Sequence, residues 1–222
     1  MINSLFNHTI YINLKKRPER KKQALEELKK IGITKTLLKT HPIAIHLEAI
    51  EEENGAIGCT KSHIKCLEIA IANDWEQVFI CEDDIVFTQP ELFLQQLQKF
   101  IDNPPNPDWD LLMVTGNNND RYDKIENVDY CVKLTGFCQT TAGYIVRKHY
   151  YNRLLENYKQ GLEKFEKNPN EHKLYSIDQQ WKSLQSNDNW YFIMPPTIVQ
   201  RPGYSDILKI PTDYRYVLSN FN

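Results

Sequence analysis

Val78-Phe79-Ile80-Cys81-Glu82-Asp83-Asp84-Ile85-Val86-Phe87 sets three consecutive acids inside an otherwise apolar run. The apolar residues on both sides predict a buried strand of an α/β sheet, because strands covered on both faces read as continuous apolar runs. An uncompensated charge at that depth is very costly, so the acids need a reason. Residues two apart on a strand share a side; Glu82 and Asp84 then converge while Asp83 points away. Two carboxylates on one face suit Mn²⁺ or Mg²⁺, hard ions that share coordination with water and substrate phosphates. A competing reading ends the strand at Ile80 and leaves the acids on a solvated loop or capping the next helix.

Strands and helices alternate on either side of this run. Residues 9–14 alternate and are rich in β-formers, predicting a first strand. Pro18 suits the first turn of a helix that runs to about Lys30 and stops at Gly32. A second strand is expected over 34–44, followed by an acidic loop at 46–57. A helix is expected from about Thr60 to Asn73, another from Pro90 to about Ile101, and further helices near 148–166 and 176–186. Short strands are expected at 109–114, 130–134, 142–146, 190–194 and 197–199. Residues 116–123, with Asn117-Asn118-Asn119, read as a polar loop that serves either as a lid or as plain surface. The stretch 201–222 reads as irregular. Without repeat or linker, this pattern predicts one domain over 1–222, built on a mostly parallel α/β sheet flanked by helices. Ligands of such sheets bind at the carboxyl ends of strands, where the acidic triplet lies.

Composition narrows the function. The 222 residues are 41% hydrophobic and 25% charged, with net charge −2, which fits a globular protein and not a general nucleic-acid binder with its basic patch. The basic run at 15–22 precedes Leu25, Leu28 and Ile31 at helical spacing and reads as the solvated start of an amphipathic helix. No apolar run approaches the roughly 18 residues of a membrane span, and the first residues lack the pattern of a secretory signal. Five cysteines without CxxC spacing indicate neither a zinc site nor a disulfide framework. A cytoplasmic protein with reduced, mostly buried thiols is the expectation.

Other candidates stay open on their own residues. Gly55-Ala56-Ile57-Gly58-Cys59-Thr60-Lys61-Ser62-His63 reads as a glycine-containing turn entering a helix. Its amides either hold a phosphate or simply form a turn and cap, and His63 can be an ordinary helix histidine. The small residues of Thr140-Thr141-Ala142-Gly143-Tyr144 allow close approach of a ligand or of backbone. Asp178 in Tyr175-Ser176-Ile177-Asp178 is either a general base or a first-turn acid favoured by the helix dipole.

Together these blocks carry a resemblance. Ile12-Asn13-Leu14 with Arg17 and Arg20, then Gly55 to His63 with Ala56 where an acid usually stands, then Glu82-Asp83-Asp84, then Thr140 to Tyr144, then Asp178, resemble in order and spacing the blocks of glycosyltransferase family 25 across about residues 9–185. That family includes lipooligosaccharide galactosyltransferases and collagen galactosyltransferase domains. The resemblance implies a GT-A type fold and transfer of galactose or glucose from a UDP-sugar, with inversion, to a glycan, lipooligosaccharide or collagen-like acceptor. It implies a metal held by Asp84 and Glu82, with Asp83 facing the ribose or the sheet. Asn13, Leu14 and Arg17 would meet the nucleobase or ribose, and Ser62 and His63 the sugar or acceptor. Asp178 would be the base, with Asp206 a second candidate. Two other classes are weighed against it: a metal-dependent nucleotidyltransferase or phosphohydrolase on a similar sheet, and a non-catalytic sugar-nucleotide binder.

Overall fold

In the computed structural model, which describes residues 5–34, 43–117 and 122–214, the run at 78–87 is a strand, a turn and a second strand. The first half is β3 (Gln77–Glu82), the second β4 (Ile85–Phe87), and Asp83-Asp84 form the turn between them. Glu82 and Asp84 therefore do not share one strand face, and the alternation argument stops at Glu82. Ahead of this run come β1 (His8–Asn13), α1 (Pro18–Lys30), β2 (Ile43–Glu48) and α2 (Gly55–Ala72). After it come α3 (Pro90–Asp102), β5 (Leu111–Met113), β6 (Tyr122–Lys124), β7 (Cys131–Leu134), β8 (Gly143–Arg147) and α4 (Tyr151–Lys167). The chain continues through α5 (His172–Tyr175), α6 (Ile177–Gln180), α7 (Lys182–Asn187), β9 (Trp190–Ile193), β10 (Ile198–Gln200), β11 (Gly203–Ser205) and β12 (Ile210–Thr212).

The described residues form an eight-stranded sheet in the order β2-β1-β3-β8-β5-β9-β7-β6. β8 runs antiparallel to both its neighbours and so does β7; the other six strands point one way, so the sheet is mostly parallel. Strand periodicity sorts the core onto two faces. Tyr11, Phe79 and Cys81 pack with Ala24 and Leu28 of α1 and with Phe93, Leu97 and Phe100 of α3. Ile10, Ile12, Val78 and Ile80 pack on the other side with Ile64, Leu67 and Ala70 of α2 and with Leu154 and Tyr158 of α4. Glu82 continues the Val78 and Ile80 register and so emerges on the α2 side.

Four expectations are corrected. β2 extends to Glu48, into the stretch read as an acidic loop, while the earlier part of the expected second strand, 35–42, lies outside the described residues. α2 begins at Gly55 and not near Thr60, because the Asn54 side chain accepts the Ala56 N–H at 3.0 Å and caps it. Gly58 is inside the helix for a packing reason: a Cβ there would lie 2.4 Å from the Ile50 carbonyl oxygen. Gly58→Ala is thus expected to destabilise the fold by about 1–3 kcal/mol through overpacking, read as a lower urea midpoint at unchanged slope. The helix expected at 176–186 is two short ones, α6 and α7, preceded by the short α5 at His172–Tyr175, and the stretch read as irregular contains the β11–β12 hairpin.

Candidate active site

The carboxyl ends of β1 and β3, the segment after β5 and the segment entering β8 meet at one edge of the sheet. They open onto a cavity of about 500 Å³ lined by Asn13, Leu14, Ser62, His63, Glu82, Asp83, Asp84 and Asp178. One edge collects these residues because β8 is antiparallel, so Thr140 and Thr141 precede it at the end where β3 and β5 finish. Arg17 lies beside a smaller adjoining cavity of about 180 Å³.

Each acid of the triplet has its own surroundings. Glu82 Oε1 accepts hydrogen bonds from the Thr141 hydroxyl and from the Cys59 thiol at 3.9 Å, and it lies 3.3 Å from His63 Nε2. His63 Nδ1 in turn lies 2.9 Å from the Tyr144 hydroxyl. Burial opposes the charge on Glu82, but His63, Thr141 and Cys59 outweigh it and hold the carboxyl below its ordinary range. Asp83 accepts from Asn13 Nδ2 at 2.7 Å and from Arg20 at 3.4 Å, with burial raising its pKa. Asp84 accepts from Gln200 Nε2 at 3.1 Å through Oδ2, while Oδ1 is buried without a hydrogen-bond partner. Burial, then the charges of Glu82 and Asp83, push Asp84 up to about 8.

A divalent cation fits this corner. It would give the orphaned Asp84 Oδ1 a partner and offset the mutual repulsion of the three acids. A second donor set shares Glu82, since ligand atoms of Cys59, His63 and Glu82 lie within 4.8 Å of one another. Cys59 and His63 are four apart on α2 and so share a face.

Asp178 lines the same cavity from the first turn of α6. Its Oδ2 accepts the Thr140 N–H at 3.2 Å and its Oδ1 accepts the Ser176 hydroxyl at 2.9 Å. The first-turn and cavity readings of this residue are therefore compatible. Ser62 is fully buried and bonded on both sides, donating to the Gly58 carbonyl at 2.8 Å and accepting the Ile50 N–H at 2.9 Å. It ties the loop before α2 to the helix and has little left to offer a sugar. The expected lid falls largely on residues 118–121, outside the described residues; Gly116 and Asn117 line the cavity.

Arg17 and Asp206 find each other. The Arg17 guanidinium grips Asp206 through Nε at 3.2 Å and Nη2 at 3.1 Å, so Arg17 is committed to the hairpin, and Asp206 is an ion-pair partner and not a free base. The sequence reading missed Gln200, Cys59 and Arg20 as neighbours of the acids, and it missed the whole hairpin wall. Arg20 and Cys59 stood inside blocks already singled out; Gln200 had no local signal.

A family model described as glycosyltransferase family 25 (LPS biosynthesis protein) matches residues 6–167. No curated protein matches the chain. Among solved structures, the chain is similar to a glycosyltransferase involved in the glycosylation of the major capsid of PBCV-1, at 11% identity and TM-score 0.42, over 85% of this chain and 93% of that one. It is similar also to 4-diphosphocytidyl-2C-methyl-D-erythritol synthase from Anaerococcus prevotii, at 12% identity and TM-score 0.45, over 99% of this chain and 83% of the other. A third is mannose-1-phosphate geranyltransferase from Thermus thermophilus, at 9% identity and TM-score 0.45, over 84% and 72%.

Proposed function

Since the chain belongs to glycosyltransferase family 25, and is thus a glycosyltransferase, we propose that it moves a hexose, galactose or glucose, from a UDP-sugar to a hydroxyl of a glycan acceptor, with inversion and with the help of Mn²⁺ or Mg²⁺. The observation that carries this reading is that one cavity is lined by Glu82, Asp83, Asp84 and Asp178 together. Asp84, with Glu82, would hold the cation. Bound there, the cation neutralises the charge that develops on the departing nucleoside diphosphate.

The chain's own residues supply the rest. Asn13 and Leu14, at the end of β1, would face the nucleoside, and Asp83, which accepts from Asn13 and Arg20, would meet the ribose. An inverting displacement needs a base on the side of the sugar away from the leaving group, and Asp178 is that base in this reading. His63 holds Glu82 in place and is a positioning residue. The family's description names lipopolysaccharide biosynthesis, which supports a glycan of the lipooligosaccharide type over a collagen-like acceptor.

The first test is UDP binding by titration calorimetry. Mn²⁺ is expected to tighten UDP at least about tenfold, because protein ligands alone are too few for the cation and the nucleotide completes its shell. Equal affinity in EDTA and in Mn²⁺ sinks the metal part of the reading. Incubation with a panel of UDP-sugars and with nucleoside triphosphates then separates glycosyl transfer from nucleotidyl transfer by product.

A further inference from the structure

We propose that Tyr204, on the C-terminal hairpin, is the stacking platform for the nucleobase of the donor; this rests on the nucleotide-sugar reading above. Tyr204 lines both the main cavity and the smaller one beside it. It is 44% exposed, so part of the ring is open to a ligand.

The hairpin that carries the ring is also tied down. The Tyr204 carbonyl accepts Arg20 Nη2 at 2.5 Å, and the Arg17 guanidinium carbon lies 5.8 Å from the ring centroid. Arg17 grips Asp206, two residues further on, through two nitrogens. Arg20 reaches Asp83 with its other amino group, and Asp83 accepts from Asn13. One chain of contacts thus runs from the end of β1 through the acidic turn to the hairpin, whose Tyr204 lines the cavity. A ring on an anchored hairpin loses less freedom when a flat ligand settles on it than one on a free loop. A nucleobase offers such a face whatever its hydrogen-bonding edge, and base-on-aromatic stacking is worth about tenfold to a hundredfold in affinity.

The test compares wild type with Tyr204→Phe, Tyr204→Leu and Tyr204→Ala, each checked for an unchanged melting temperature, by calorimetry with UDP and Mn²⁺. Stacking predicts that phenylalanine keeps the affinity within about twofold, while leucine and alanine both lose about tenfold or more. It also predicts an upfield ring-current shift of the uracil protons in the wild-type complex that is gone with leucine. Leucine packs the hairpin but has no π face, so leucine binding as tightly as tyrosine overturns the proposal. Wild type that ignores UDP but binds another nucleoside diphosphate overturns the UDP reading, and the same variants then judge the ring on that nucleotide. Wild type that binds no nucleoside diphosphate overturns both.

Discussion

Asp84→Asn is expected to lower transfer by about 10²–10³-fold, the loss seen when a preorganised charge stabiliser is removed from a reacting site, and to abolish the gain in UDP affinity from Mn²⁺. The fold should not suffer. Asp84 is buried beside Glu82 and Asp83, and its carboxyl is pushed up from 3.8 to about 8. The folded state therefore binds this proton more tightly than the unfolded chain, and stability falls as pH rises. The penalty is absent below the unfolded value near 4, grows through the window from there to about 8, and is complete above it. Asparagine carries no charge to penalise. In EDTA the variant should match the wild type near pH 4, out-melt it increasingly up to about pH 8 and keep a constant lead above that, each kcal/mol being worth about 2–4 °C in a chain of this size. Saturating Mn²⁺ and UDP should reverse the order, because only the wild type gains. A variant that melts below the wild type at pH 8 in EDTA, or that retains Mn²⁺-dependent UDP binding, removes Asp84 from the metal role.

Asp178→Asn is expected to lower kcat by about 10²–10⁴-fold, the range for a lost proton transfer, with UDP affinity within about twofold. The local structure accommodates asparagine. Its amide oxygen can keep the Thr140 N–H, and its amino group can donate to the Ser176 hydroxyl, which rotates to accept. A folding defect is thus not the expected cause of lost turnover. Near-normal turnover would place the base elsewhere, and loss of Mn²⁺-dependent UDP binding would move Asp178 into the metal shell.

Much of the frame was legible because it obeys local rules. Val78 and Ile80 against Phe79 and Cys81 gave the two sheet faces, and Pro18 and Pro90 marked two helix starts. The turn at Asp83-Asp84 was not legible, since Ile85-Val86-Phe87 continues the apolar signature of a strand. What redirects these residues is β10, more than a hundred positions later, which pairs Ile198 with Phe87. Gly58 misled for a similar reason. A glycine near a helix start reads as a turn, but here it is demanded by the Ile50 carbonyl against the helix. The blocks holding Glu82, Asp83, Asp84 and Asp178 were visible and do share a cavity. The hairpin was invisible because what fastens it, the Arg17 to Asp206 pair, spans 189 residues, and no window of sequence contains both.

The place of β9 in the sheet has a consequence for how the molecule comes off the ribosome. β9 lies between β5 and β7, yet it is made after both. Until Trp190 to Ile193 have been synthesised, β5 lacks one of its neighbours and the β6–β7 pair has nothing to join. β10, which holds β4 and through Gln200 touches Asp84, comes later still. A nascent chain carrying the whole acidic triplet thus still exposes the open edge of β5, a strand edge able to pair with another chain. The interval before the last strands arrive is when this protein most needs shelter from its neighbours.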